Sequence, residues 1–427
     1  MNDKSESTGD LALNATEQRA LAGIDMDGLL ATLAELIALR SDQGQETDIQ
    51  HAVADRLERM GMEVDRWTID IGELSRHPSY GAEIARQQAV GVVGSWGRGQ
   101  GRSLILNGHV DVVPPGELER WTVPPFSATV RDGQVYGRGA VDMKGGLCCA
   151  LHAVAALIEA GIDLPGQVMI QPVIGEEDGG AGTLAAIVRG HQADGAIVLE
   201  PTELTVAPAQ AGALSFRIEV PGRAAHGALR TEGVDPLERF GMLHGALREL
   251  EAERNDRLRH PLFADQDVPF AICVGKVQAG VWASTVAETL VMEGRYGIAV
   301  DEPVEQACRE LEAAVARVAA QDEWLREHPP RVTWWGARFM PAAISPDHPL
   351  VTGLAGAFQA ISQQPARIRG MPYGADMHLL VNQGRTPTVL FGPGDVRQAH
   401  VPDEYVPVAD LEAVTRTLVL AILRFCR

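Results

Sequence analysis

Apolar residues follow two patterns in the first two hundred positions of the chain. Short continuous apolar runs are typical of strands buried on both faces, and a recurrence every three or four residues is typical of amphipathic helices. The runs predict strands at residues 64–69, 89–96, 103–108, 167–174 and 195–199, and the helical spacing predicts helices at residues 28–40, 46–60, 145–160 and 183–189. Strands that alternate with helices predict an α/β fold, with a mostly parallel sheet covered by helices on both faces. Residues 1–24 are expected to form a loose arm.

The pattern changes after residue 212. Between Leu214 and Val220, apolar and polar residues alternate strictly, which is typical of a half-exposed strand in an antiparallel sheet. A β-α-β-β-α-β order is completed by strands at residues 270–277, 289–300 and 331–339 and by helices at residues 237–250 and 304–318. This order predicts an inserted two-layer α+β domain at residues 212–341. The main domain is then discontinuous, with residues 1–211 and 342–427, and its last part is predicted to hold helices at 349–362 and 411–425 and a strand at 388–391.

Composition and charge exclude several classes of protein. The 427 residues carry a formal net charge of −20, which argues against a nucleic acid or an anionic membrane as partner. No run of eighteen apolar residues occurs, and the polar first ten residues lack a signal pattern, so a cytoplasmic protein without a membrane span is expected. The five scattered cysteines include no C-x-x-C pair, which favours free thiols over a zinc–thiolate site.

Histidine and acidic residues follow several predicted strands or lie in glycine-rich turns, the places where α/β proteins bind ligands. Imidazole and carboxylate donors without thiolate suit zinc, with cobalt or manganese as alternatives. One zinc takes about four ligands, so five protein donors predict two metal ions that share a bridging carboxylate. Asp142 is the best bridge, because its tight glycine turn would hold it rigidly. The five candidate ligands are His109, Asp142, Glu177, Glu200 and His400.

Two further carboxylates are candidates for roles beside the metals. Asp111, two residues after His109, is expected to hydrogen-bond the second nitrogen of that ring. Glu176 is expected to face the bound water, to take its proton and later to give it to the leaving amine. Taken singly, each residue is common in solvated turns. Their occurrence together at strand ends is what indicates a site.

The motifs around these residues resemble those of the superfamily of co-catalytic zinc hydrolases that includes acetylornithine deacetylase, succinyl-diaminopimelate desuccinylase, aminoacylase and glutamate carboxypeptidase. The resemblance covers nearly the whole chain. It rests on LNGHVDVVP at residues 106–114, YGRG at 136–139, DMKGG at 142–146, GEE at 175–177, EPT at 200–202, PGRAAH at 221–226 and GPG at 392–394, with His400 after the last.

The resemblance implies a role for each ligand. One metal ion would be held by His109, Asp142 and Glu200, and the other by Asp142, Glu177 and His400. Glu176 would be the general acid and base, Asp111 would orient His109, and the peptide bond after Asp142 would be cis.

The inserted domain resembles the family's lid and dimerisation domain. There His226 matches a histidine that reaches across a dimer and stabilises the oxyanion, and Arg295 matches an arginine that holds a substrate carboxylate. Tyr373 and Gly374 match a loop that cradles the substrate. Ser284 stands where the family usually has asparagine.

Two other features bear on the substrate. His378 stands where arginine is common in the family, which suggests a shifted substrate preference. The pair Trp334 and Trp335 is expected either to pack in the core of the inserted domain or to line the pocket for the acyl group.

These features predict a homodimeric amidohydrolase with two zinc ions that removes an acyl group from an N-acyl amino acid or a related small amine. A dipeptidase or carboxypeptidase on the same site is the alternative within the enzyme class. A catalytically silent module that binds a small molecule is the alternative outside it, and it predicts the loss of a ligand or of Glu176, all of which are present.

Overall fold

The computed structural model describes residues 12–427 of the chain. Its helices are α1 (Ala15–Ala22), α2 (Met26–Ala38), α3 (Thr47–Arg59), α4 (Ile71–Leu74), α5 (Gly145–Glu159), α6 (Ala181–Arg189), α7 (Pro236–Arg257), α8 (Val304–Gln321), α9 (Glu323–Glu327), α10 (Pro349–Ser362), α11 (Met377–Asn382) and α12 (Val408–Phe425). Its strands are β1 (Glu63–Thr68), β2 (Val90–Gly97), β3 (Ser103–His109), β4 (Thr129–Arg131), β5 (Gln134–Tyr136), β6 (Gln167–Val173), β7 (Gly195–Val198), β8 (Val206–Gln210), β9 (Gly212–Pro221), β10 (Ile272–Ala279), β11 (Thr289–Ile298), β12 (Arg331–Phe339), β13 (Ala342–Ala343), β14 (Ile368–Met371), β15 (Thr388–Leu390) and β16 (Tyr405–Pro407).

The described chain divides into two units. The first comprises the chain up to Ala209, together with Ala343–Arg369 and Ala375–Arg427. The second comprises Gln210–Ala342 and the short segment Gly370–Gly374. The boundaries expected from the sequence, residues 212 and 341, did not include that short segment.

The first unit is built on a large mixed sheet with the strand order β1-β2-β6-β3-β7-β15-β8-β13, and β14 pairs with β8. Strand β3 is parallel to β6 and β7, and β15 is parallel to β7. Successive residues Leu104, Ile105 and Leu106 point to opposite faces of the sheet and are all fully buried, so both faces are covered. The predicted α/β fold with a mostly parallel centre is confirmed, whereas β1, β2 and β8 are antiparallel additions at the flanks.

The expected loose arm is wrong where the structure describes it. Residues 15–22 form helix α1, whose start is fixed by a capping box: Asn14 accepts from the Glu17 amide and the Glu17 carboxylate accepts from the Asn14 amide, each at 2.9 Å. The Arg424 guanidinium of α12 donates to Glu17 at 2.8 Å and ties the helix to the end of the chain. Residues 1–11 of the expected arm lie outside the described part.

The second unit is a four-stranded antiparallel sheet with the order β10-β11-β9-β12. Phe216 and Ile218, alternate residues of β9, lie in a core with Leu243 and Leu247 of α7 and Leu311 of α8. Both helices therefore cover the same face of the sheet, as the α+β prediction requires.

One helical stretch within residues 12–427, Ala140–Glu159, is long and apolar enough to cross a membrane by length and composition alone. Most of it, 78% of the tested window, is buried inside the protein. Helix α5 packs against α12 and α2, which is the arrangement of a core helix.

Candidate active site

His109 ends the central strand β3, and the register of the sheet places it beside Val173 at the end of β6. The ring is fully buried. Its Nδ1 lies 2.9 Å from the backbone carbonyl oxygen of Asp111, which accepts a hydrogen bond from it. Nε2 is then the ring nitrogen that can coordinate a metal ion. Nε2 lies 3.0 Å from Asp142 Oδ1, 3.8 Å from Glu200 Oε1 and 3.9 Å from Glu176 Oε2.

The Asp111 carboxylate was expected to hydrogen-bond the His109 ring, but it makes other contacts. It lies 3.8 Å from His109 Nδ1, so the close partner of that nitrogen is the Asp111 backbone and not its side chain. The two carboxylate oxygens instead accept from the amides of Glu176 and Glu177, at 3.2 and 3.1 Å. Asp111 thus connects the end of β3 to the loop that carries both glutamates.

Asp142 lies in the irregular turn before α5, and the Asp142–Met143 peptide bond is cis, as the resemblance implied. The amides of Val141 and Asp142 donate to the same Glu404 oxygen, at 3.1 and 3.2 Å. Glu404 is fully buried and forms an ion pair with the buried Arg138. This pair holds the backbone that carries Asp142.

The loop that carries Glu176 and Glu177 is held by a second buried ion-pair network. The Arg86 guanidinium lies 2.8 Å from Glu46 and 2.8 Å from Asp178. Asp178 also accepts from the amides of Glu83 and Ile84, at 3.1 and 2.8 Å. These contacts fix the chain immediately after Glu177.

The remaining ligand candidates complete the cluster. Glu200 follows β7 and is buried, and its Oε1 has no hydrogen-bond partner in the described structure. His400 has a left-handed backbone with φ of +63°, and its side chain is 53% exposed. Its Nε2 lies 3.0 Å from Glu177 and 3.4 Å from Asp142. Five predicted ligands, Glu176 and Asp111 are therefore brought together in the first unit.

Two of the carboxylates lie where ionisation is costly. Burial raises the pKa of Glu176 well above its usual range, and the nearby charge of Glu200 raises it further. Burial likewise raises the pKa of Glu200, and the charge of Asp142 adds to this effect. A cluster of this kind needs positive charge to be stable in its ionised form.

The histidines supply that charge when they are protonated. Burial acts to raise the pKa of Asp142, but hydrogen bonds from His109 and His400 outweigh it and hold that pKa far below its usual value. Partial burial acts to lower the pKa of His400, but the hydrogen bonds to Asp142 and Glu177 raise it to about 11. The same balance holds the pKa of His109 well above its usual value.

The donor set fits divalent metal ions. Ligand atoms of His109, Glu176 and Glu200 lie within 4.8 Å of one another, as do those of His109, Asp142 and Glu177. Nitrogen and carboxylate oxygen are the donors that zinc, cobalt and manganese take. The unsatisfied Oε1 of buried Glu200 is the kind of atom that a cation would satisfy.

Three of the predicted substrate residues lie together in the second unit. Arg295 on β11 donates to the Pro372 carbonyl oxygen at 2.7 Å, immediately before Tyr373 and Gly374. A Cβ on Gly374 would lie 2.3 Å from that of Phe339, so the close approach to β12 requires glycine there.

His226 and Ser284 lie on two adjacent loops of the second unit. The Gly227 amide donates to the Ser284 carbonyl oxygen at 2.7 Å, and His226 forms a backbone bridge with Thr285. His226 is exposed, and its ring accepts from the Ala228 amide at 3.1 Å. Its expected role across a dimer stays a prediction.

His378 is buried, and burial lowers its pKa to about 3. It is therefore neutral at pH 7 and is no substitute for the positive charge of an arginine.

Sequence reasoning missed Glu404 and the Arg86 network. The one available signal for Glu404 was Arg138 in the YGRG motif, since a buried arginine needs a carboxylate. It also missed the buried chain in which Asn107 donates to Thr183 at 2.8 Å and Thr183 to Asp376 at 2.6 Å. Thr183 begins the helix predicted at residues 183–189, and Asp376 follows the loop of Tyr373 and Gly374. Nothing in their positions in the sequence indicates that they form a hydrogen bond.

Comparison with known proteins places this site in a family. Residues 105–424, three quarters of the chain, match the sequence profile of peptidase family M20/M25/M40. N-formyl-4-amino-5-aminomethyl-2-methylpyrimidine deformylase of Bacillus subtilis is 31% identical over 400 residues, which cover 88% of this chain and 89% of the deformylase. Acetylornithine deacetylase of Myxococcus xanthus is 31% identical over 408 residues, which cover 94% and 98% of the two chains.

Among solved structures, human carnosine dipeptidase 1 has the same fold. The two align with a TM-score of 0.77 over 97% of this chain and 100% of the dipeptidase, at 16% sequence identity. At this identity the likeness concerns the fold alone.

Proposed function

The chain belongs to peptidase family M20/M25/M40, whose members hydrolyse amide bonds, and from that premise we propose that it removes a small acyl group from an N-acylated amine. The observation that carries the proposal is the buried Glu176 within a cluster of five candidate metal ligands from strand ends and turns. Both relatives that are about 31% identical are named for removing a formyl or an acetyl group, which favours deacylation over peptide hydrolysis.

The family binds two metal ions, and the motif resemblance implies one assignment of their ligands. His109, Asp142 and Glu200 would hold the first ion, and Asp142, Glu177 and His400 would hold the second. Zinc is the proposed metal, with cobalt or manganese as substitutes. When bound, the ions would polarise the amide carbonyl and lower the pKa of a bound water molecule.

Glu176 is the proposed general acid and base. Glu176 and Asp111 are the two carboxylates of the cluster without a proposed ligand role, and both Asp111 oxygens already accept from backbone amides. The buried position of Glu176 excludes bulk water from the proton transfer. Glu176 takes the proton of the attacking water as the carbon–oxygen bond forms. It then protonates the amine nitrogen as the carbon–nitrogen bond breaks, so that the products are the carboxylic acid and the amine. Asp111 is the proposed positioning residue, through the amides of Glu176 and Glu177.

The second unit is proposed to act as lid and dimerisation domain of a cytoplasmic homodimer. His226 would reach the partner's site and stabilise the oxyanion, while Arg295, Tyr373, Gly374 and Ser284 would contact the substrate. The adjacency of Arg295 to the Pro372–Gly374 segment supports this grouping.

The central test is Glu176→Gln, with Glu177→Gln as the matched variant. We expect Glu176→Gln to keep two metal ions per chain and to lose 10²- to 10⁴-fold in kcat, as is typical for loss of a general acid and base. Glu177→Gln should instead lose metal. Metal content is measured by mass spectrometry, and turnover is screened over N-formyl, N-acetyl, N-succinyl and N-carbamoyl amines and over dipeptides.

Three outcomes would contradict the proposal. Substantial activity of Glu176→Gln would remove that residue from its role. Faster cleavage of dipeptides than of every N-acyl amine would make the protein a peptidase. Absence of all turnover in the metal-loaded protein would leave a binding module.

A further inference from the structure

One row of side chains crosses the sheet of the second unit on the face opposite the helices. The register pairs Arg295 of β11 with Ser215 of β9, and Ser215 with Trp335 of β12. Directly opposed residues of antiparallel strands point to the same face. The neighbouring row, which contains Trp334, points to the other face. The Trp334 ring lies 5.7 Å from that of the fully buried Tyr296 and packs on the core.

Arg295 is a cation without a counter-charge. Its guanidinium donates to the Pro372 carbonyl oxygen, and no carboxylate of residues 12–427 lies within ion-pair distance of it. Arg217, which points to the same face, is paired with Glu293 at 2.7 Å. A half-buried guanidinium that is left unpaired in this way indicates an anionic or strongly accepting ligand.

Trp335 is held in place beside this cation. The pairing of β12 with β9 shifts directly after Trp335, where Gly336 has a φ of +67°. Such bulges re-aim the side chains next to them. The Arg217 guanidinium lies 4.9 Å from the centre of the Trp335 ring, and the buried Nε1 has no acceptor within the described chain. The ring is therefore oriented by the protein but still lacks a hydrogen-bond partner.

We propose that Trp335 is a specificity-determining residue that stacks on a planar ring of the substrate while Arg295 binds the substrate's carboxylate. Strands lie about 4.8 Å apart, so Arg295 and Trp335, two strands apart, have Cα atoms about 10 Å apart, a span that one small molecule fills. The substrate class is then N-acylated amines that carry both an aromatic ring and a carboxylate. This inference rests on the proposed function, in which Arg295 contacts the substrate.

The test uses two substrates that differ only in the flatness of the ring, N-acetylphenylalanine and N-acetylcyclohexylalanine. We expect the wild-type protein to prefer the flat ring in kcat/KM. Trp335→Leu should reduce that preference by about 2- to 10-fold, the size of one aromatic pair, chiefly through KM. Trp335→Phe should restore most of it. Trp334→Leu, on the same strand but facing the core, should keep the preference, and thermal melting shows whether each variant is folded.

The inference fails if the ratio of the two substrates is the same in wild type and Trp335→Leu, or if the wild-type protein shows no preference. If the wild-type protein cleaves neither substrate, titration calorimetry with free phenylalanine and free cyclohexylalanine decides. A preference for phenylalanine that Trp335→Leu loses supports the ring contact even though the proposed function has failed. The contact is overturned if the wild-type protein and Trp335→Leu show the same ratio of affinities for phenylalanine and cyclohexylalanine.

Discussion

At the scale of single residues, the position of Asp142 depends on a carboxylate 262 residues further along the chain. Glu404 accepts from the Asp142 amide at 3.2 Å and neutralises the buried Arg138. A buried ion pair stabilises little by itself, but the removal of one partner leaves the other charge buried and unpaired. Glu404 therefore affects both the stability of the fold and the geometry of the metal ligand.

Glu404→Gln should lower the free energy of unfolding by about 3 kcal/mol, because Arg138 loses its counter-charge. It should also weaken metal binding by about 10- to 100-fold, the usual effect of losing a residue that positions a ligand. Denaturant melts and titration with a metal indicator measure the two effects.

The matched control is Glu302→Gln in the second unit. Glu302 lies 2.7 Å from the buried Arg254, so its loss should cost similar stability. It should leave metal affinity unchanged. Equal metal affinities of wild type and Glu404→Gln would contradict the positioning role of Glu404.

The pKa values of the histidines predict that metal binding releases protons. The pKa of His400 is raised to about 11, so its ring is protonated at pH 7 in the metal-free protein, and the pKa of His109 is raised in the same direction. A metal ligand must be a neutral imidazole, so protons compete with the metal and affinity should rise with pH. Calorimetry in buffers of different ionisation enthalpy should find at least one proton released per chain at pH 7. Release of none would contradict the prediction.

At the scale of elements, β10 is an edge strand that is open to pairing with another chain. It lies at the edge of its sheet, and within residues 12–427 it pairs with β11 alone. Lys276, Val277, Gln278 and Ala279 are exposed, and Trp282 in the loop that follows is 73% exposed. Unpaired backbone groups on an edge strand pair readily with a second chain.

Val277→Lys should therefore weaken the proposed dimer at least tenfold, because a charge on an edge strand opposes pairing. Sedimentation velocity across a concentration series gives the dissociation constant. Val268→Lys, at an exposed position outside the strands of the same unit, is the control and should not change it. A wild-type protein that stays monomeric at all concentrations would refute the dimer itself.

The long elements were predictable, and several of the short ones were not. The strand at residues 331–339 and the helix at residues 349–362 have the predicted bounds, since their periodicity extends over nine and fourteen residues. Helix α7 runs seven residues beyond the predicted end, to Arg257, because Arg254 there is buried by its pair with Glu302 and breaks the apolar period. Strands of two to five residues such as β4, β5 and β8 were missed, since they are too short to show a period.

At the scale of the whole molecule, the proposed dimer makes a prediction about mixed subunits. His226→Ala and Glu176→Gln should each be inactive as homodimers. If His226 acts across the dimer, a heterodimer of the two has one site with both residues intact. Random exchange at equal amounts gives half heterodimers, so about a quarter of wild-type activity should return. Activity no greater than that of either variant alone would place His226 in its own subunit's site or outside catalysis.

The sequence by itself determined the class of fold and the residue types of the site. A strand that is apolar throughout must be covered on both faces, whereas a strand with strict alternation is covered on one face. The change of pattern after residue 212 therefore distinguished the two domains. The order of the motifs then indicated five ligands and Glu176, which the structure brings together in the first unit.

Only the tertiary structure decided which atoms meet. It showed the Asp111 backbone at His109 and the Asp111 carboxylate at two amides, Glu404 beneath Asp142, and Trp335 in the row of Arg295. The physical reason is that most of these contacts join residues from separate elements at distant positions of the chain. A local period specifies which face of an element is buried. The partner of a buried polar atom depends instead on strand register and on which other polar and charged groups become buried beside it.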